Sequence, residues 1–175
     1  NQIYGLTKSQ TSPTTRKGLK TPSQPTGSYM DPINPVRFAL GLGASFVAST
    51  AEWLGKHFVD TLDMAFKHKG FALVHIAQRC PKYNPAAWNY KESNWINFLT
   101  HESALDADLK GAPDGQVIEH DPTDYQAAMK HAATVPSTFG LFYHENKAMY
   151  DYEIHESIKN AEKKHLDNLL DPYKI

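Results

Sequence analysis

The sequence is poor in cysteine, in long apolar runs and in net charge, and each shortage narrows what the protein can be. One cysteine cannot form an internal disulfide, and no Asn-x-Ser/Thr acceptor occurs, so we expect a reducing cytoplasmic setting rather than secretion. No apolar run approaches the ~20 residues that a membrane span requires. The 18 basic and 19 acidic side chains leave a formal charge of −1, which argues against nucleic acid or a membrane surface as a bulk partner.

The remaining composition is that of a folded protein. The 175 residues are 41% hydrophobic and 21% charged, which is typical of a globular chain and suits one domain or two small ones. The chain starts at Asn1, without methionine, and enters the apolar run Ile3-Tyr4-Gly5-Leu6 at once. Native starts are more often polar and loose, so we interpret the chain as a piece that continues from an upstream partner or has lost one.

The pattern of apolar residues predicts a strand–helix–strand unit. Pro35 suits the first turn of a helix that ends near Leu42, and a buried strand is expected at 44–48. Thr50 is the expected N-cap of an amphipathic helix that ends near Lys69. The run 71–76 is apolar nearly throughout, as in strands covered on both faces. We therefore predict an α/β fold, a mostly parallel sheet with helices on both faces.

The pattern is weaker after residue 84, so we divide the chain into a domain part, 1–84, and a less regular C-terminal extension, 85–175, that covers a site or docks a partner subunit. The expected elements there are an aromatic-rich helix containing Trp88, Tyr90, Trp95, Phe98 and Leu99, a turn from Gly111 to Gly115, a short helix from Asp124 to Ala133, an edge strand at Leu141-Phe142-Tyr143, and a final amphipathic helix with Ile154, Ile158, Ala161, Leu166, Leu169 and Leu170 on its apolar face.

The first fifteen residues are the first candidate site. They contain a glycine, Gly5, that permits a turn, followed by hydroxyl side chains and the amine of Lys8. Such a loop suits a polyphosphate with a hard cation, because Mg²⁺ accepts an Asn side-chain oxygen or a backbone carbonyl. A solvated Ser/Thr linker explains the same composition, and composition alone favours that second interpretation.

Cys80 is the second candidate. A lone cysteine is most often a small buried hydrophobic residue. This one follows Gln78-Arg79 just beyond a predicted strand and precedes Pro81, and ligands of open parallel sheets gather beyond the carboxyl ends of the strands. Two weaker patterns are set aside: Gly41-Leu42-Gly43 lacks the third glycine of a dinucleotide fingerprint, and the nine histidines form no close pair at helical ligand spacing.

Three blocks of the sequence together resemble the β subunit of 2-oxoacid:ferredoxin oxidoreductases. Positions 1–14 match most of the family pattern Asn-x-Ile/Val-Tyr-Gly-Leu-Thr-Lys-Gly-Gln-x-Ser-Pro-Thr, the second half of its thiamine-diphosphate motif. The blocks 31–48 and 68–80 are similar to the family's next segments, in the same order. The resemblance covers positions 1 to about 84 and implies the second half of a thiamine-diphosphate-binding fold, the C-terminal part of such a subunit.

The resemblance implies a role for each matching residue. Asn1 would give its side-chain oxygen and Ile3 its backbone carbonyl to Mg²⁺, whereas Gly5, Leu6 and Thr7 would line the diphosphate and the reacting end of the cofactor. Lys8 would stand at the mouth, where a 2-oxoacid carboxylate or coenzyme A passes, and is counted with Leu6 as catalytic. Cys80 would be the fourth ligand of a 4Fe–4S cluster. Ser9 departs from the family's usual glycine, which makes a left-handed backbone more costly there.

The activity implied by the resemblance is oxidative decarboxylation of a 2-oxoacid, pyruvate or 2-oxoglutarate, to acyl-CoA and CO2, with electrons passed through the cluster to ferredoxin. The expected partners are the upstream half of the β subunit, with its aspartate ligand, and α and further subunits of a heteromer, so this chain alone is predicted to be inactive. Two alternatives stay open: a non-oxidative thiamine-diphosphate-dependent decarboxylase or synthase, and a non-enzymatic phosphate-binding subunit.

Overall fold

The computed structural model describes residues 1–88, 92–146 and 150–163, and a five-stranded sheet forms its centre. The order across this sheet is β4-β3-β7-β5-β6, and a separate two-stranded hairpin, β1-β2, precedes it. The elements in chain order are β1 Ile3–Tyr4, β2 Gln10–Thr11, α1 Pro35–Gly41, β3 Phe46–Ala51, α2 Gly55–Lys67, β4 Ala72–Ala77, β5 Asn97–Thr100, β6 Gln116–Glu119, α3 Tyr125–Ala132, β7 Thr138–His144 and α4 Tyr150–Lys163.

The central sheet is mostly parallel, as predicted. β3 pairs in parallel with β4, and β5 pairs in parallel with both β6 and β7. The exception is the antiparallel pair of β3 with β7, which contains an irregularity between Val47 and Ala48. The predicted β3–α2–β4 crossover is confirmed, and β4 is an edge strand that is only partly buried.

Helices cover both faces of the sheet. Successive side chains of β3 point to opposite faces, and the apolar ones on each face pack against a helix. Val47 packs with residues of α1 and α3 on one face. Phe46 and Ala48 pack on the opposite face, against Met64 and Ala65 of α2. Every residue of β3 is buried, so this strand forms the middle layer of an α/β/α arrangement.

Two helix starts follow ordinary capping rules and one does not. Asn34 accepts a hydrogen bond from the backbone of Arg37 at the start of α1, and Asp124 caps α3 in the same way. The prediction of Thr50 as the cap of α2 is wrong, because β3 continues through Thr50 and α2 begins after Leu54, with no side-chain cap. The Thr50 hydroxyl instead lies 2.8 Å from Nδ1 of His57.

The aromatic-rich stretch is not a helix. Within the described residues it consists of turns followed by strand β5, and Tyr90 lies outside them. Trp88 and Phe98 are buried in one cluster of the core, and Trp95 packs against it with its ring stacked on Trp88 at 6.1 Å. Packing and pairing with β6 and β7 therefore override the local pattern.

The segment predicted as an edge strand lies inside the sheet. β7 runs between β3 and β5, and its residues from Thr138 to Phe142 are buried. The turn at 111–115 and the helix α3 are confirmed. The predicted final helix is present as α4, whereas Leu166, Leu169 and Leu170 lie outside the described residues.

The extension 85–175 contributes three strands to the same sheet as β3 and β4. Its predicted role, covering a cluster or docking a partner, and the division at residue 84 stay predictions. Among the residues that the structure describes, no helix is both long enough and apolar enough to cross a membrane.

Candidate functional site

The opening residues fold into a short hairpin with an exposed loop. β1 and β2 pair antiparallel, with Ile3 opposite Thr11 and Tyr4 opposite Gln10. The Tyr4 carbonyl accepts hydrogen bonds from the Ser9 amide at 3.2 Å and from the Thr7 hydroxyl at 3.2 Å. The loop is thus closed by its own backbone and hydroxyl groups, which leaves its tip free to face a ligand.

Two consecutive residues of this loop have a left-handed backbone. Lys8 has φ 65° and Ser9 has φ 79°. A side chain in this conformation costs about 1–2 kcal/mol relative to an ordinary one. Ser9 adopts it although the family pattern has glycine there, and its hydroxyl donates to the carbonyl of Tyr83 at 3.4 Å. Contacts with residues far along the chain therefore hold the loop in shape.

Asn1 lies beside the carboxyl end of β4. Its side-chain oxygen accepts the amide hydrogen of Ile3 at 3.1 Å, and its Nδ2 is 3.3 Å from Oε1 of Gln78, the residue after β4. The Asn1 backbone carbonyl accepts a hydrogen bond from the side chain of Asn84 at 3.1 Å. This position agrees with the expectation that ligand groups gather beyond the carboxyl ends of parallel strands.

The hairpin loop lies directly against Cys80. A Cβ atom added at Gly5 would be 3.8 Å from the Cys80 sulfur and 3.4 Å from the ring of Tyr83. Cys80 is a free, partly exposed thiol. Any larger side chain at position 5 would extend into the space between the loop and the thiol, so glycine allows the close approach.

A surface cleft of about 730 Å³ brings most of the predicted cofactor residues together. Asn1, Ile3, Gly5, Leu6 and Thr7 all line it, and the Leu6 side chain is 99% exposed. The other lining residues are Tyr4, Gln10, Ser12, Pro13 and Thr14. Lys8 is exposed beside the cleft without lining it, and Cys80 lies behind Gly5.

The donor atoms present suit the groups implied by the resemblance. The Asn1 amide oxygen and the backbone carbonyls of the hairpin are hard oxygen donors of the kind that Mg²⁺ prefers. The Cys80 thiol is the donor that iron–sulfur clusters use. Among the described residues no three His, Cys, Asp or Glu side chains converge into a metal site, so a cluster held by Cys80 requires ligands from another segment.

The charge next to Cys80 is largely balanced. Arg79 forms an ion pair with Glu52, and this contact lowers the pKa of the Glu52 carboxyl. The Arg79 guanidinium also lies 5.8 Å from the centre of the Trp53 ring. Lys82 lies over the ring of Tyr83 at 5.2 Å. The positive charge of Arg79, the residue before Cys80, is therefore offset by a carboxylate.

Two buried histidines accompany the site on β4 and α2. His75 bonds the Ser49 hydroxyl at 3.1 Å, and burial lowers its pKa to about 4. Burial also lowers the pKa of His57 to about 4, and only 2% of this residue is exposed. Both rings are neutral at pH 7 and form hydrogen bonds with hydroxyl side chains.

Sequence reasoning missed the groups that hold the hairpin in place. Asn84 is 3% exposed and Thr15 is 2% exposed, and the Thr15 hydroxyl donates to the Gln2 carbonyl at 2.6 Å. The Trp88 indole donates to the Gln78 carbonyl at 2.8 Å. The one local signal was turn chemistry, since Pro81 and Asn84 are typical turn residues after Cys80.

The fold and the hairpin together define a thiamine-diphosphate-binding domain. The family described as "Thiamine pyrophosphate enzyme, C-terminal TPP binding domain" matches residues 1–76. This range contains the hairpin and the β3–α2–β4 crossover.

The curated relatives identify the family more narrowly than this domain does. A 2-oxoacid:ferredoxin oxidoreductase subunit beta of Sulfolobus sp is 33% identical over 173 residues, which cover 95% of this chain and 52% of the relative. The 2-oxoglutarate oxidoreductase subunit KorB of Mycobacterium tuberculosis is 44% identical over 89 residues, 51% of this chain and 24% of the relative. The chain spans about half the length of the two curated relatives that match nearly all of it.

A solved structure has the same architecture. A 2-oxoglutarate:ferredoxin oxidoreductase from Magnetococcus marinus, with 2-oxoglutarate, coenzyme A and succinyl-CoA bound, superposes with a TM-score of 0.77 at 26% identity. The match covers 100% of this chain and 56% of the other. The chain belongs to the β-subunit family of the 2-oxoacid:ferredoxin oxidoreductases.

Proposed function

We propose that the chain forms the part of a 2-oxoacid:ferredoxin oxidoreductase β subunit in which thiamine diphosphate meets a 4Fe–4S cluster. The reaction is oxidative decarboxylation of a 2-oxoacid, such as pyruvate or 2-oxoglutarate, to acyl-CoA and CO2, with electrons leaving to ferredoxin. The proposal extends to this chain what the names of its relatives state for those proteins.

Thiamine diphosphate would supply the electron sink that the decarboxylation needs. The chain's own residues would position it: Asn1 and the Ile3 carbonyl would hold the magnesium of its diphosphate, and Gly5, Leu6 and Thr7, which line the same cleft, would lie along its diphosphate and reacting end. Lys8, exposed beside the cleft, attracts the carboxylate of the 2-oxoacid or a phosphate of coenzyme A. The exposed Leu6 side chain excludes water once the cleft is filled.

The contact of Gly5 with Cys80 is the observation that carries this proposal. A domain that only binds thiamine diphosphate has no need of a thiol there, whereas an enzyme that transfers electrons to a cluster does. The separation of 3.8 Å between the Gly5 Cβ position and the sulfur puts the thiol directly behind the cofactor loop. This arrangement favours the oxidative enzyme over a non-oxidative decarboxylase and over a phosphate-binding subunit.

The remaining parts of the enzyme are supplied by other segments. An upstream half of the β subunit contributes the aspartate ligand of the magnesium and the other three cluster cysteines, and α and further subunits complete a heteromer. The chain alone is therefore inactive with thiamine diphosphate, magnesium, 2-oxoacid, coenzyme A and ferredoxin. A lone, partly exposed thiol next to a cofactor also suits a reducing cytoplasm.

Cys80→Ser in the complete complex tests the oxidative assignment. We expect the visible absorbance of one cluster and the reduction of ferredoxin to be lost, whereas thiamine diphosphate stays bound. A variant that keeps both the absorbance and the ferredoxin reduction would refute the role of Cys80 and favour the non-oxidative enzyme.

Lys8→Ala tests the role of the cleft mouth. Loss of a charged partner of the substrate raises the KM for the 2-oxoacid or for coenzyme A about tenfold. Lys20→Ala is the matched control, because Lys20 is an exposed lysine of the same N-terminal segment but lies outside the hairpin, which ends at Thr11. Unchanged kinetics in Lys8→Ala and in Asn1→Ala together would favour the non-enzymatic phosphate-binding subunit.

A further inference from the structure

Asn84 connects the two candidate cofactor segments. Its side-chain Nδ2 donates to the backbone carbonyl of Asn1 at 3.1 Å, and its backbone amide donates to the Cys80 carbonyl at 3.0 Å. Cys80 and Asn84 also form an isolated antiparallel bridge. One residue, 3% exposed, thus holds the first residue of the hairpin segment and the turn that carries the thiol.

Two further contacts join the same surfaces. The Ser9 hydroxyl donates to the Tyr83 carbonyl at 3.4 Å, and the Tyr83 ring lies 3.4 Å from the Cβ position of Gly5. The hairpin therefore touches the 80–84 turn at its beginning, its tip and its end. Of these contacts, the amide of Asn84 forms the shorter hydrogen bond and is the more deeply buried.

We propose that Asn84 is a positioning residue that fixes the separation between the thiamine-diphosphate hairpin and the cluster-bearing turn. The inference rests on the proposed function and adds to it the residue that sets the distance over which electrons move. The backbone of the turn closes without this side chain, because the bond between the Asn84 amide and the Cys80 carbonyl is a main-chain one. The side-chain amide is needed only to reach across to Asn1.

The chemistry of the amide explains the choice of residue. The partner of the Asn84 side chain is a backbone carbonyl, so the side chain must donate a hydrogen bond. An ionised aspartate and a leucine have a similar size but no hydrogen to donate. The bond to the Asn1 carbonyl is part-buried, so its loss costs about 0.5–1.5 kcal/mol and releases the start of the hairpin from the turn. Electron transfer slows steeply with distance, and a shift at Asn1 therefore lowers its rate without removing either cofactor.

The test compares Asn84→Leu with wild type in the complete complex. We expect both cofactors to remain bound and the KM for the 2-oxoacid to stay unchanged, whereas single-turnover reduction of the cluster slows about tenfold. Asn34→Leu is the matched control, because Asn34 also donates its side-chain amide to a distant carbonyl, which is that of Ala132 rather than one of the hairpin or of the 80–84 turn. It should lower thermal stability and leave the reduction rate unchanged.

A second readout does not depend on activity. Hydrogen exchange in the assembled protein without cofactors should rise in Asn84→Leu at both 1–11 and 80–88, and in Asn34→Leu at neither. If Asn84→Leu does not assemble, Ser9→Ala removes the weaker bond to the same turn and should show the same two changes, about threefold in rate.

The outcomes separate the two proposals. A wild-type complex that binds both cofactors and never reduces its cluster on adding 2-oxoacid and coenzyme A refutes the proposed function, and this inference with it. If the wild-type complex reduces its cluster, and Asn84→Leu or Ser9→Ala reduces it at the same rate and with the same hydrogen exchange as wild type, the positioning role alone is refuted. An equal slowing in Asn34→Leu would likewise overturn it.

Discussion

Replacing Gly140 by alanine should destabilise the protein more than most single substitutions. Gly140 lies in β7 at φ 127°, opposite Leu99 of β5 and Ser49 of β3. An added Cβ would be 2.5 Å from the Leu99 carbonyl oxygen and 3.1 Å from its amide nitrogen. These are main-chain atoms of a neighbouring strand, so no side-chain rotation relieves the overlap.

The expected magnitude follows from two terms. The positive φ costs about 1–2 kcal/mol with a side chain, and the overlap in a packed sheet costs about 1–3 kcal/mol more. For a chain of this length each kcal/mol lowers the melting temperature by about 2–4 °C, so Gly140→Ala should melt about 4–20 °C below wild type.

Thermal unfolding followed by circular dichroism measures this difference, and Gly41→Ala is its matched control. Gly41 ends α1, and an added Cβ there meets nothing within 4 Å. The control should therefore melt at the wild-type temperature or slightly above it, because alanine stabilises a helix by up to about 1 kcal/mol relative to glycine. A Gly140→Ala protein that melts with wild type would show that β7 is not held between β3 and β5 as described.

Three further predictions concern the core and the site. Burial lowers the pKa of His57 from 6.5 to about 4, so the unfolded chain takes up this proton at a higher pH than the folded protein does. The free energy of unfolding should therefore fall by about 3 kcal/mol as the pH falls from 7 to below 4. Denaturant titrations at several pH values should show a weaker dependence of this free energy on pH for His57→Asn. Asn34→Ala removes both the cap of α1 and the side-chain bond to the Ala132 carbonyl and should cost about 1–3 kcal/mol in the same titration; an unchanged midpoint would contradict both roles. Thr15→Val removes the hydroxyl that bonds the Gln2 carbonyl and the Ser12 amide and so loosens the segment that lines the cleft. Calorimetry on the complex should therefore find weaker binding of thiamine diphosphate. The control Thr26→Val changes an exposed threonine and should bind as wild type does.

The sequence was sufficient to predict an element of the fold where the local turn and cap residues agree with the pattern of buried side chains. Pro35 and the glycine that follows α1 set the limits of that helix, and the apolar runs of β3 and β4 predicted the crossover between them. The place of Cys80 just beyond the end of β4 was expected from the apolar run before it, and ligands gather at the carboxyl ends of parallel strands. The contact between Gly5 and the thiol agrees with that rule.

The sequence was insufficient where distant pairing decides the outcome. Thr50 has the chemistry of a helix cap, yet pairing with Ile76 of β4 keeps it in a strand. The aromatic residues before β5 suit a helix or a strand equally, and packing against Phe139 selects the strand. The tie of Asn84 to Asn1 spans 83 positions, so no local pattern could have revealed it.

The place of β7 in the middle of the sheet affects how the chain is made. β3 leaves the ribosome early, but the strand that covers one of its edges follows roughly 90 residues later, which at ~5–20 residues per second is a delay of roughly 5–20 s. During that interval the buried side chains of β3 have no antiparallel neighbour and are exposed to aggregation or to chaperones. Completion of the central sheet is consequently a late event, after translation of the chain has passed His144.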